Sequence, residues 1–439
     1  MKNPTQHQVE FLLDYKHISQ KLINLFRSAT KSIYYTAWVI DFDLKIAENL
    51  TFLNLIEETC LRGVSVNILL NKNALYPLLV PKSLPEGCKV NLVPYFGHEV
   101  PLTGKFLFKN FVRTNKQYPF TGSINCLHQK YVLVDDLHLM LGGTDLSEKR
   151  LADKYYSKRL KTDYRWRELA VTLSSSPDFN LFAVNNFNIK GKALLNKNNW
   201  VGSYGQNHTE VNLMNHLITN SKNYLFLETQ YFFYLDISKF TIVDQILERL
   251  LKAIQNKEDY KVIILTNHKI YDSNSLLLHG LYYMRLAESL ERIRRFFKKH
   301  QVDKTTLEKY LAIGCLESAD IPIFTHVKLL LKDGDQALVT SSNINNRSLS
   351  PTDSDIELGV VINDKNKINN LESNIFSSLV GHKNIDSFAS FFKAFKNNEG
   401  AIKNIPLYHP QRQRRWRTFH WVIRFLRRMV MGNSSSIDF

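Results

Sequence analysis

The chain writes one charged pattern twice, and that constrains its fold more than any other feature. "HQKYVLVDD" begins at His128 and "HVKLLLKDG" begins at His326, 198 residues further on. His128, Lys130 and Asp135 therefore recur at the same intervals as His326, Lys328 and Asp333. Both sets sit in apolar runs of strand character, where side chains alternate between faces, so each His shares a face with its Lys. A single His-x-Lys-x4-Asp arises by chance in roughly one chain in twenty of this length, so one copy says little. Two copies in matching contexts say much more, and the contexts do match. "LFRSATKSIYYTAWVI" (25–40) reads as a helix end, a polar turn and a strand, and "LITNSKNYLFLETQYFF" (217–233) repeats that grammar. "GVSVNILL" (63–70) has its counterpart in "YKVIILT" (260–266), and after each Asp six intervening residues lead to a small-residue turn, "GGTD" at Gly142 and "TSSN" at Thr340. A duplication follows.

Helical patterns alternate with strands in both copies, which predicts an α/β protein. Its two similar halves are mixed sheets covered by helices as αβα sandwiches, related by a pseudo-twofold with the site at their interface. At 439 residues the chain accommodates two such units. The expected division is 1–200, 201–405 and a tail at 406–439, the first boundary falling in the polar, weakly periodic "KGKALLNKNNWVGSYGQNHTE" (190–210). Residues 95–127 carry Pro101, Gly104, Pro119 and Gly122 and few regular signals, which predicts a long loop running into His128. Hydrophobic content of 44% with 22% charged residues is that of a soluble globular protein with a large core. The opening segment, "MKNPTQHQVEFLLDYK", lacks the basic head and apolar stretch of a secretory signal, and no uncharged apolar run is long enough to span a bilayer. Cys60, Cys88, Cys126 and Cys315 are scattered, which points to a reducing compartment and away from a zinc site.

Two histidines and two lysines brought together across a pseudo-twofold make a cationic site with two groups that titrate near neutrality. No thiolate or carboxylate cluster accompanies them, so neither a metal nor another cofactor is expected. Such a site suits a phosphodiester. One neutral imidazole attacks phosphorus to form a phosphohistidine, and the other gives a proton to the departing alcohol and takes one from the incoming water. The lysines hold the non-bridging oxygens, and Thr144, Ser342 and Asn343 of the following turns add hydrogen bonds to them. Asp135 and Asp333, at strand ends running into turns, suit a structural role within the motif better than proton transfer.

These residues resemble the duplicated His-x-Lys-x4-Asp motif of the phospholipase D superfamily, over most of residues 20–385. The likeness is to its eukaryotic-type phospholipases. "GGTDL" is similar to their Gly-Gly-x-Asp-Leu turn, and "NINNRSLSPTDSDIELGVV" (343–361) to their Asn-Ile-Asn-Asp-Arg-Ser-Leu segment with its Asp-Ser-Glu ending. "YLFLETQYFF" resembles their Tyr-Ile-x-Asn-Gln-Phe-Phe strand, with Glu210 where they carry a Glu shortly before it, and "RWREL" (165–169) resembles their Trp-His-Asp segment. The resemblance implies that carboxylates at Glu168 and Asp355 orient the histidines, that His128 is the nucleophile and that His326 is the acid and base. Glu168 stands for Asp, Asp355 for Glu, and Thr340 for the usual Gly. The implied activity is head-group cleavage of a glycerophospholipid to phosphatidic acid, with head-group exchange when an alcohol replaces water. Nucleases and cardiolipin synthases of the superfamily are the alternatives. Duplication within the chain implies a monomer with a complete site.

The net charge of +16 favours a polyanionic partner. "RQRRWRTFHWVIRFLRRMVM" (412–431) has seven arginines and no acid. At helical spacing it sets Trp416 on an apolar face and Arg414, Arg417, Arg424 and Arg428 opposite, as a helix lying on an anionic membrane does. Packing of that apolar face against the body is the competing reading. Nucleic acid ranks below lipid because no base-stacking module accompanies the arginines. The expected location is peripheral, on the cytosolic side of a membrane. High Asn and Lys usage fits an AT-rich genome, such as that of a pathogen delivering the protein into host cells.

Overall fold

The computed structural model describes residues 8–71, 80–81, 83–93, 96–99, 123–147, 155–157, 162–174, 200–203, 209–233, 242–268, 276–317, 323–349, 355–381 and 385–407. Two large mixed sheets dominate. The first runs, in spatial order, Gln8–Leu13, Leu169–Ser174, His138–Gly142, Tyr131–Val134, Ser32–Ala37, Ser65–Asn71 and Cys88–Val93. The second runs Trp200–Ser203, Glu357–Ile362, Gln336–Thr340, Lys328–Lys332, Tyr224–Thr229, Lys261–Leu265, Leu311–Leu316 and Ile402–Asn404. Strand for strand the orders correspond, and so do the pairings. Ser32–Ala37 is parallel to Ser65–Asn71 and antiparallel to Tyr131–Val134. Tyr224–Thr229 is likewise parallel to Lys261–Leu265 and antiparallel to Lys328–Lys332. The second sheet adds Ile402–Asn404 on an edge where the described first sheet has no equivalent.

Alternation within the strands explains how the halves join. Tyr131 and Leu133 belong to the same apolar cluster as Leu329, Leu331 and Val339, so the two sheets share one central core. The intervening Val132 and Val134 face the other way, into a cluster with Ile18, Leu22 and Phe26 of helix Asp14–Ser28 and Phe52, Leu55 and Ile56 of helix Phe52–Leu61. On the second sheet Leu330 and Leu338 face helices Thr209–Thr219, Ile242–Asn256 and Leu276–Lys299. The described architecture is thus the expected pair of helix-covered mixed sheets, with the interface between them buried.

The segment expected as a long loop contains two short antiparallel strands, Phe96–Glu99 and Ser123–Asn125; residues 100–122 between them lie outside the described residues. The tail residues Arg414, Trp416, Arg417, Arg424 and Arg428 also lie outside the described residues. Among the described residues no helix is long and apolar enough to cross a membrane.

Candidate active site

Each histidine ends a short crossing between the halves. Leu127 forms a parallel bridge with Ile356, and the backbone N–H groups of His128 and Gln129 donate to the Ile356 carbonyl at 3.0 and 2.7 Å. In the other half, Ile323–Thr325 runs parallel to Arg165–Arg167, and His326 N–H donates to the Arg167 carbonyl at 2.8 Å. In both crossings the next residue on the partner segment is a glutamate. Glu357 follows Ile356, and Glu168 follows Arg167.

The result is a reciprocal exchange. His128 Nδ1 lies 2.9 Å from both Glu357 oxygens, and His326 Nδ1 lies 3.1 Å from Glu168. Each half thus supplies a histidine and the carboxylate for the other half's histidine. Occupying Nδ1 fixes the ring and leaves Nε2 for chemistry. Burial lowers the His128 imidazole against the opposite pull of Glu357, so its neutral form prevails at neutral pH. Burial would raise the Glu357 carboxyl, but His128, Lys130 and Ser341 hold it down, to about 2. An ionised Glu357 can only accept, so His128 Nδ1 carries the hydrogen and Nε2 the lone pair.

Asp355, expected to orient His128, does not hold the ring. Its Oδ1 accepts the Cys126 backbone N–H at 2.9 Å, and Glu357 takes the orienting position. The strand explains the difference. Asp355 lies two residues before the strand start at Glu357, so its shorter side chain reaches the crossing backbone, whereas Glu357 has the longer reach and the fixed position of a strand terminus. A signal was present in the sequence: "ELAV" at 168–171 repeats as "ELGV" at 357–360.

Both lysines are buried and turn back on their own histidine segments. Lys130 Nζ donates to the His128 carbonyl and lies 3.7 Å from Asp145. Lys328 Nζ donates to the His326 carbonyl at 2.8 Å and to Gln230 at 3.1 Å. One lysine therefore faces a carboxylate and its counterpart a neutral amide. Asp145 also accepts the Trp38 backbone N–H at 2.7 Å, which anchors the turn after the first motif.

The turn residues divide their tasks. Thr144 Oγ1 donates to Glu168 at 3.2 Å. Ser342 Oγ donates to Glu210 at 2.7 Å, and Asn343 is buried with its Oδ1 unpaired among the described residues. Ser341 and Ser348, which sequence reasoning did not assign, donate to Glu357 at 2.5 and 2.6 Å. Gly143 permits the close approach of the halves, because a Cβ there would lie 2.9 Å from the His326 carbonyl oxygen.

Asp135 and Asp333 lie away from this centre, in the turns at the far ends of their strands. Asp135 accepts the backbone N–H groups of Thr30, Lys31 and Ser32 at 2.8–2.9 Å. Asp333 accepts those of Lys222, Asn223 and Tyr224 at 2.6–2.8 Å. Each clamps the turn that leads into the strand beside its motif, so neither touches the reacting groups. His128, Asp355 and Glu357 offer three ligand atoms within 4.8 Å of one another. The Glu357 oxygens there are already engaged by Ser341, Ser348 and His128, so the cluster is a hydrogen-bonded pair rather than a cage for an ion.

Residues 214–380, within the second half, match the family model described as cardiolipin synthase, PLD-like domain. Among solved structures, the chain resembles phosphatidylserine synthase from Haemophilus influenzae Rd KW20, at a TM-score of 0.55 and 16% identity over 96% of this chain and 95% of that one. It also resembles polyphosphate kinase from Porphyromonas gingivalis, at a TM-score of 0.50 and 11% identity over 89% of this chain and 53% of that one. At these identities the likeness is one of fold. No curated protein sequence matches the chain.

Proposed function

We propose that the chain is a phospholipid-modifying phosphodiesterase or phosphatidyltransferase working through a phosphohistidine. The reciprocal His128–Glu357 and His326–Glu168 pairs carry this reading, because they present two oriented imidazoles beside two buried lysines. His128 Nε2 attacks phosphorus and the bond from phosphorus to the head-group oxygen breaks. His326, protonated, gives its proton to that oxygen. It then takes the proton of an incoming hydroxyl as the new P–O bond forms and the P–N bond of the phosphohistidine breaks. Lys130 and Lys328 balance the charge on the non-bridging oxygens.

The acceptor decides the product. Water gives phosphatidic acid, the hydrolytic outcome that "GGTDL" and "NINNRSL" suggest by likeness to eukaryotic-type phospholipases. An alcohol gives a new phosphodiester, and the description of the matching family, cardiolipin synthase, favours this transfer. Both outcomes share the covalent step. The test is incubation with vesicles of phosphatidylcholine and phosphatidylglycerol plus ethanol or glycerol and a chelator. Phosphatidylethanol or cardiolipin is expected, and a ³²P-labelled enzyme should be trapped on His128. Cleavage of plasmid DNA with intact lipid would overturn the lipid reading.

A further inference from the structure

The chemistry above uses Glu168 and Glu357 and leaves a third buried carboxyl without a task. Glu210 opens helix Thr209–Thr219 and has no exposed surface. Its two oxygens receive the hydroxyls of Thr340 at 2.5 Å and Ser342 at 2.7 Å. Ser341, between them, turns the opposite way and donates to Glu357. Three successive side chains of one turn thus bridge two buried carboxyls, and one of these holds His128.

Two like charges in a low-dielectric interior do not both ionise readily, and the surroundings decide which one does. Glu357 has His128, Lys130 and two serine hydroxyls. Glu210 has two neutral hydroxyls and, as the charged group facing it, Glu357 itself. On the adjoining helix Ile242–Asn256, Asp244 is taken up by Arg292 at 3.0 Å and Arg249 by Glu258 at 2.7 Å. Burial pushes the Glu210 carboxyl up to about 8, against the pull of the Thr340 hydroxyl and with the help of Glu357.

We propose that Glu210 is a positioning residue that works as a neutral carboxylic acid, and that losing its proton is felt at His128 through the Thr340–Ser342 turn and Glu357. The hydrogen inventory fits both states. Thr340 Oγ1 accepts the Ser342 N–H at 3.0 Å and lies 3.3 Å from the Leu358 carbonyl, so its hydrogen has two destinations. A protonated Glu210 donates to one of the hydroxyls; an ionised Glu210 accepts from both. Ionisation therefore turns a hydroxyl over in the turn that also carries Ser341. It also sets a second negative charge behind Glu357, which changes the basicity of the neutral His128 ring. Only the effect of that change on turnover rests on the proposed function, because the coupling itself needs no substrate.

The test is the ¹⁵N imidazole spectrum of the full chain across the neutral and alkaline range, with His128 assigned by its loss in His128→Asn. Wild type should show a second inflection of the His128 resonances near pH 8, beyond that ring's own titration. Glu210→Gln, neutral at every pH, should lack it. The same inflection in Glu210→Gln, or none in wild type, overturns the proposal. If Glu210→Gln does not fold, ¹³C-labelled glutamate in wild type and Ser342→Ala decides. One carboxyl should titrate near 8 and move upward when the Ser342 donor is removed; absence of any such carboxyl overturns the proposal. Where a soluble phosphodiester is turned over, the inflection of its pH profile near 8 should be missing in Glu210→Gln. The spectral inflection without turnover of any phosphodiester would defeat the functional reading and leave this inference standing.

Discussion

Asp355 and Glu357 lie two residues apart and their side chains go to different places, which makes them a sharp test of the site. Glu357 holds His128 Nδ1 in a buried, low-dielectric setting, whereas Asp355 holds a backbone N–H of the crossing. Removing the charge from Glu357 frees the ring to adopt the wrong tautomer, a loss of about 10²–10⁴-fold in comparable triads. Glu357→Gln should therefore lower kcat on a soluble phosphodiester by at least about 100-fold, and Asp355→Asn by less than about tenfold. Equal losses in steady-state assays would show that the ring is held differently. At this scale the sequence was legible wherever the repeat itself spoke. The spacing of His128, Lys130, His326 and Lys328 picked out the residues at the two crossings between the halves, but Glu357 was hidden because a family ending pointed two residues upstream. Glu210 was visible only as a resemblance, since the two hydroxyls that reach it come from the turn 130 residues away.

Turns and strand contacts carry the next level. Each motif Asp accepts three backbone N–H groups of the helix-to-strand turn beside it, and both aspartates adopt positive φ, 51° at Asp135 and 54° at Asp333. Asp135→Ala and Asp333→Ala should each cost about 2–4 kcal/mol in urea denaturation, from charged hydrogen bonds lost at a partly exposed turn. The protein that remains folded should turn over at close to the wild-type rate. A large fall in kcat without loss of stability would instead put these carboxylates in the chemistry. The two sheets also solve one packing problem in opposite ways. Gly142 lies against Ala170 in the first sheet, and Thr340 lies against Gly359 in the second. A Cβ at Gly359 would come within 2.9 Å of Thr340 Cβ. Gly359→Ala should therefore destabilise by about 1–3 kcal/mol, as overpacking does. Gly359→Ala with Thr340→Gly recreates the first half's spacing but removes the hydroxyl from Glu210, so it should recover only part of that loss in thermal melts. The duplicated grammar of helix, turn and strand made two similar helix-covered sheets readable in advance, though not their strand orders. The two paired strands at the ends of 95–127 were not, because Pro101, Gly104, Pro119 and Gly122 outweigh a local alternation of only three or four residues.

At the scale of the molecule, the exchange of carboxylates makes the halves interdependent. Each motif histidine is held by a carboxylate of the opposite half and both sheets share one core, so neither half has both partners of a pair by itself. His128→Ala and His326→Ala should thus be equally unable to complete turnover while failing at different steps. His128→Ala should form no covalent adduct. His326→Ala should still form one from a substrate whose alcohol leaves without a proton, such as a p-nitrophenyl ester, and should then hold it. Trapping the adduct in the second variant and not in the first is the expected result; the reverse would exchange the roles of the two histidines. We propose that residues 412–431 attach the protein to an anionic membrane by charge, separably from this machinery. Seven arginines and no acid in residues 412–431 supply about 1 kcal/mol each near an anionic surface, a contribution that salt screens. Removing residues 410–439 should weaken binding to phosphatidylglycerol vesicles at least tenfold in sedimentation assays, about 1.4 kcal/mol, and leave cleavage of a soluble diester unchanged. If vesicle binding survives the truncation, the apolar face of that segment packs on the body and the lipid is met elsewhere. If soluble turnover falls with it, the segment supports the catalytic halves as well as any membrane contact.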